Sequence, residues 1–125
     1  MKQHISLSQL QELTDEQQER LRGLWRPAKG DLYIFIGHST PILIDSEEMA
    51  AFIAGRKDVV CPIHSIGQLI ELLNSLKYKM QITKKLNPSS NRIELWWHDG
   101  GKRKFRYYGG SDLIDALWQA VKEVL

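Results

Sequence analysis

Two glycines, Gly100 and Gly101, separate "RIELWWHD" from "KRKFRYYGG", and ahead of them "KYKMQIT" alternates between apolar and polar residues. Successive residues of a strand point to opposite faces, so residues 77–108 read as an antiparallel meander with one face turned to a core and the other to water. The segment that follows, "SDLIDALWQAVKEVL", has a helical period instead. Ile114, Leu117, Trp118, Val121 and Leu125 trace one stripe, with Ser111 as N-cap and Asp112 in the first turn. A sheet with one apolar face and a helix with one apolar stripe bury each other, which restricts this half of the chain to an α+β arrangement.

The register of the hairpin decides which side chains share a face. A two-residue loop, Gly100–Gly101, sets Leu95 opposite Arg106 and Trp97 opposite Lys104, mixing core with charge. A three-residue loop, Asp99–Gly101, pairs Ile93 with Tyr107, Leu95 with Phe105 and Trp97 with Arg103, which makes one face mostly apolar. On that ground the three-residue loop is the expected one. Its outer face pairs Arg92 with Tyr108, Glu94 with Arg106 and Trp96 with Lys104.

Upstream, Ser6 with Gln9, Thr14 with Gln17 and Ser65 with Gln68 each have the spacing of a capping box, which marks three helix starts. Leu21, Leu24 and Trp25 form the expected stripe of the second helix, and Ile66, Leu69, Ile70 and Leu73 that of "SIGQLIELLNSL". "DLYIFIGHSTPILID" reads as two strands about a turn at Gly37–Thr40, the first apolar on both faces and therefore central. Ser46 caps a short helix that ends at Gly55, and "DVVCPI" is extended up to Pro62. The expected fold is α+β, an antiparallel sheet made of the C-terminal meander plus an N-terminal hairpin, packed by three main helices in a single domain over residues 1–125. "KKLNPSSN" supplies the turn inside the meander.

Formal net charge is only +2, but it is unevenly spread. Residues 1–60 carry seven Lys and Arg against nine Asp and Glu, whereas residues 77–108 carry nine against two. This concentration, interleaved with aromatics, nominates Lys77, Lys79, Trp96, Lys102, Lys104, Arg106 and Tyr108 as a surface for nucleic acid, where cations meet phosphates and rings stack on bases. The plainer account is structural and outweighs it on sequence alone: lysines on outer strands deter edge-to-edge pairing, and cations over rings stabilise a sheet without any ligand.

Catalytic and metal signatures are sparse. One cysteine, Cys61, excludes an intramolecular disulfide, and "CPIH" offers only two metal ligands in Cys61 and His64. As nucleophile and base the same pair lacks an orienting third group, so Cys61 reads as a buried structural thiol. Asp45, Glu47 and Glu48 suit the N-terminus of the helix after Ser46 better than a cation. Trp25, Trp97 and Trp118 fall at core-facing positions. No cofactor or metal is expected, and no apolar run approaches the ~20 residues of a spanning helix. The expected setting is cytoplasmic, with no membrane partner.

"LTDEQQERLRGLWRPAKGD", "SIGQLIELL" and "DLIDALWQAVKEVL", in this order, resemble a group of short uncharacterised proteins carried by prophages of Gram-positive bacteria. The resemblance covers about half the chain and implies a phage or mobile-element accessory protein. It assigns no functional residue. Three readings result, in order: a noncatalytic module acting through a protein partner or self-association, with "AAFIA" and the closing helix as places to seek an apolar patch; a nucleic-acid-binding module using the basic aromatic strands; and a cysteine-dependent enzyme.

Overall fold

The computed structural model describes residues 3–76, 78–84, 91–110 and 112–125. Its elements in chain order are α1 (Leu7–Leu10), α2 (Asp15–Leu24), β1 (Leu32–Phe35), β2 (Ile42–Leu43), α3 (Glu47–Ala54), β3 (Val60–Ile63), α4 (Ile66–Ser75), β4 (Lys79–Lys84), β5 (Asn91–Asp99), β6 (Lys102–Gly110) and α5 (Leu113–Val124). The fold is α+β with two three-stranded antiparallel sheets, β2-β1-β3 and β4-β5-β6. Backbone contacts group the chain into two compact units: residues up to Ile5 with Ser65–Val124, and Ser6–His64 with Leu125.

All three capping boxes form as the S/T-x-x-Q spacing dictates. Ser6, Thr14 and Ser65 each accept from the amide three residues on, while the glutamine there accepts from the cap's own amide. Ser46 caps α3 through the Met49 amide, and Glu47 and Glu48 occupy the positive first turn. The Ser111 cap, Lys77 and the 85–90 turn lie outside the described residues.

In the Ser6–His64 unit, β1 is the central strand, as its two-sided apolar sequence requires. Tyr33 and Ile34 are both buried although they point to opposite faces. β3 completes the sheet from the far side of α3, pairing Ile34 with Cys61 and Tyr33 with Pro62. Proline lacks an amide donor and sits here on an edge strand, where one side of the backbone needs no ladder partner. Trp25, Tyr33, Ile44, Ala50, Ile53 and Val60 pack as one cluster, and the Trp25 indole donates to Asp31 Oδ2 at 3.0 Å. Leu21 and Trp25 are buried one turn apart, but Leu24 is 40% exposed, so the α2 stripe is narrower than expected.

In the other unit, α5 packs on β5 and β6, and α4 packs on α5 and β4. The α5 stripe is the expected one at Ile114, Leu117, Trp118 and Val121, all fully buried, whereas Leu125 is half-buried. On α4 the buried positions are Leu69, Leu72 and Leu73, with Ile66 and Ile70 at the margin. The N-terminus joins this unit as a short bridge: His4 pairs with Ser65, and the Ile66 amide donates to the Gln3 carbonyl at 3.1 Å.

The β5–β6 register differs from the expected one. Asp99 pairs with Lys102, so the loop is the two-residue Gly100–Gly101, and Leu95 faces Arg106 while Trp97 faces Lys104. Both loop residues have positive φ, +60° and +82°. This is the demand of a type I′ turn, whose twist matches the flanking strands, and two glycines meet it without steric cost. The apparent penalty, cations beneath a core face, is relieved because β6 is an edge strand. Arg106 extends past the core to an ion pair with Glu123 of α5 at 3.0 Å, its charged end in water.

Candidate functional site

The observed register redistributes the side chains nominated from sequence. Alternation along β5 and β6 sends Ile93, Leu95 and Trp97 with Lys104, Arg106 and Tyr108 to the helix-covered face, and Trp96 with Arg103, Phe105 and Tyr107 to the other. Ile93 and Leu95 are fully buried, while Phe105 is 47% and Tyr107 54% exposed. The expected grouping of Trp96 with Lys104, Arg106 and Tyr108 is therefore corrected. Lys102 shares their alternation and pairs with Asp99 beside the turn, and of the nominated residues that the structure describes Lys79 and Trp96 remain together on the open face.

Tyr108 illustrates the change. It lines a cleft with Tyr78, Leu95, Trp97, Arg106 and Glu123, and burial followed by the nearby Glu123 carboxylate pushes its phenol above the usual 10. Trp97 is half-buried in the same cleft and meets Tyr78 edge-to-face at 5.5 Å between ring centroids. Its expected inward direction holds, though it stands at the rim of the core rather than inside it.

The open face is ordered in rows across the sheet. Lys79 stands opposite Trp96, and Trp96 opposite Phe105; in the next row Gln81, Glu94 and Tyr107 align. Arginines from the flanking rows, Arg103 on one side and Arg92 on the other, reach onto these rings. Arg103 lies over both Trp96 and Phe105, 5.2 and 4.9 Å from their centroids, and Arg92 lies over Tyr107 at 3.8 Å. Each exposed cation–π contact contributes about 0.5–1 kcal/mol and holds a guanidinium close to a ring. Among the described residues this brings together the rings of Trp96, Phe105 and Tyr107 and the cations Lys79, Arg92 and Arg103 around the Glu94 carboxylate.

Arg92, Arg103, Phe105 and Tyr107 were missed as site residues. The signal that identifies them is local: a Gly-Gly pair favours the two-residue turn, and that turn alone fixes the alternation.

Cys61 and His64 are both buried, at 4% and 3% exposure. The Cys61 sulfur accepts from Arg22 Nη1 at 3.6 Å. His64 Nδ1 finds no hydrogen-bond partner among the described residues, and desolvation lowers its pKa to about 4. Among the described residues no three His, Cys, Asp or Glu side chains converge as metal ligands, and no helix is long and apolar enough to cross a membrane.

Comparison with known proteins returns no matching family model, no matching curated protein and no matching solved structure.

Proposed function

We propose that this chain is a noncatalytic binding module whose working surface is the helix-free face of the β4–β5–β6 sheet, and whose ligand is single-stranded nucleic acid. The observation that carries this reading is the juxtaposition of Trp96, Phe105 and Tyr107 with Arg92, Arg103 and Lys79 on one exposed face. Exposed rings stack unpaired bases at ~1–3 kcal/mol per base, and the surrounding cations take up phosphates. Rings spread over a sheet face stack on bases that are free of a duplex, which favours a single strand. Phe105 and Tyr107 are two strand positions apart, roughly 6.6 Å, about twice the 3.4 Å repeat of stacked bases. That spacing suits a strand whose bases are spread apart.

The experiment is an anisotropy titration of a fluorescein-labelled oligothymidylate and of a duplex of the same length, at several salt concentrations. Saturable binding that favours the single strand and weakens with salt supports the reading; no binding to either at low salt removes it.

A second reading, a protein-interaction or assembly role of the phage-accessory kind, is favoured by a different feature. β6 is a nine-residue edge strand, and an extended segment of a partner could pair with its outer side. Light scattering that shows a stable oligomer, together with failure to bind oligonucleotide, would favour this reading over the first.

A further inference from the structure

We infer that the Ser6–His64 unit holds a separate small-molecule site that takes a neutral heteroaromatic compound of the nucleobase or nucleoside class. A cavity of about 580 Å³ lies between α1, α2, the end of β1 with the turn that follows it, and β3. Pockets for small ligands commonly span about 300–1,000 Å³. The inference does not rest on the sheet face, which belongs to the other unit.

The lining selects the ligand by elimination. Leu10, Ile34 and Ile36 give it apolar walls, and Phe35 adds a ring in edge-to-face contact with His38 at 6.0 Å. Ile36 is 53% exposed, an apolar side chain that contributes little to the core but forms part of this wall. A purely polar compound such as a free sugar would leave those walls unmatched. Gln11, Gln18, His38, Ser39 and Thr40 also line the cavity, so a hydrocarbon would strip water from amides, hydroxyls and an imidazole without replacing their hydrogen bonds. Among the described lining residues there is no Asp, Glu, Lys or Arg. Arg22, the nearby cation, directs Nη1 to the Cys61 sulfur and is not part of the lining. A phosphate or carboxylate would therefore enter without a counter-charge. What remains is an uncharged compound that joins apolar surface to a mixed donor and acceptor edge, and the Phe35 and His38 rings in the lining suit a flat heteroaromatic one. Gln18 donates Nε2 to the Leu10 carbonyl at 3.5 Å, which leaves its amide oxygen as an acceptor, while the Ser39 and Thr40 hydroxyls can donate or accept.

The test is a backbone amide NMR titration of the intact protein with adenosine and cytidine, and with adenosine 5′-monophosphate as the charged control. The expected result is saturable shifts at Ile34–Thr40 and Cys61 with either nucleoside, and at least about fivefold weaker binding of the monophosphate. Gln18→Leu should weaken the nucleosides about fivefold, the loss of one hydrogen bond, while thermal melting shows the variant still folded. Thr40→Trp, at an exposed position on the lining, provides a second variant if Gln18→Leu is unstable, and should reduce binding by narrowing the cavity. No saturable shift up to about 10 mM nucleoside, shifts confined to other residues, or equal affinity for the monophosphate would overturn the inference.

Discussion

Trp96 stands directly across the β5–β6 pair from Phe105, and the Arg103 guanidinium spans both rings. Arg106, three residues further along the same strand, projects to the opposite face and pairs with Glu123. Two arginines that look equivalent in sequence therefore have different tasks.

Their truncation should separate those tasks. Arg103→Ala is expected to weaken oligonucleotide binding roughly fivefold, about 1 kcal/mol. Arg106→Ala should leave affinity within about twofold and cost no more than about 1 kcal/mol of stability, because its ion pair is solvent-exposed. Anisotropy titration and urea unfolding of both variants check this. The reverse ranking would place the ligand on the other face.

The turn makes a second prediction. Added side-chain atoms at Gly100 and Gly101 meet open space, so any cost there arises from the backbone. Gly101→Val forces a β-branched residue to positive φ and should destabilise the unit by about 1–2 kcal/mol. Gly100→Asn, a residue that type I′ turns accept, should change stability by less than about 0.5 kcal/mol. Chemical denaturation of the two variants measures the difference.

Those glycines also mark the limit of what the sequence disclosed. Capping boxes at Ser6, Thr14 and Ser65 were legible because both partners lie within three residues. The α5 stripe was legible because Ile114, Leu117, Trp118 and Val121 repeat with helical period. The hairpin register was not. It turns on whether a one-position shift places Arg106 or Phe105 beside the core, and the uniformly apolar face was the cleaner pattern. The Gly-Gly pair is the local signal for the observed turn, and the sheet tolerates the resulting register because an edge-strand arginine can lie along apolar surface and still put its charge in water at Glu123. Likewise, nothing local to "DVVCPI" announced that it would return beside β1 to complete the first sheet.

Buried His64 makes stability depend on pH. Its folded pKa is lowered to about 4 by desolvation, below the ordinary 6.5, so the unfolded chain binds the extra proton between those values. Stability contributed by keeping the imidazole neutral is present above about pH 6.5 and is lost as pH falls toward 4, on the order of 3 kcal/mol in all. Urea unfolding at a series of pH values should show this slope. His64→Leu, which also removes a buried nitrogen without a hydrogen-bond partner among the described residues, should flatten its histidine component.

If the three open-face cations each engage a phosphate, log affinity for a single strand should fall with log salt at a slope near about −2, roughly twentyfold between 50 and 200 mM. A slope near zero would mean that Lys79, Arg92 and Arg103 take no part.

The most direct measurement compares wild type with the triple variant Trp96→Ala, Phe105→Ala, Tyr107→Ala in an anisotropy titration of labelled oligothymidylate, with circular dichroism verifying that both are folded. Loss of two or more stacked bases predicts at least about thirtyfold weaker binding by the variant, at about 1 kcal/mol or more for each base. Affinity unchanged in a folded triple variant would contradict the assignment of this face as the binding surface.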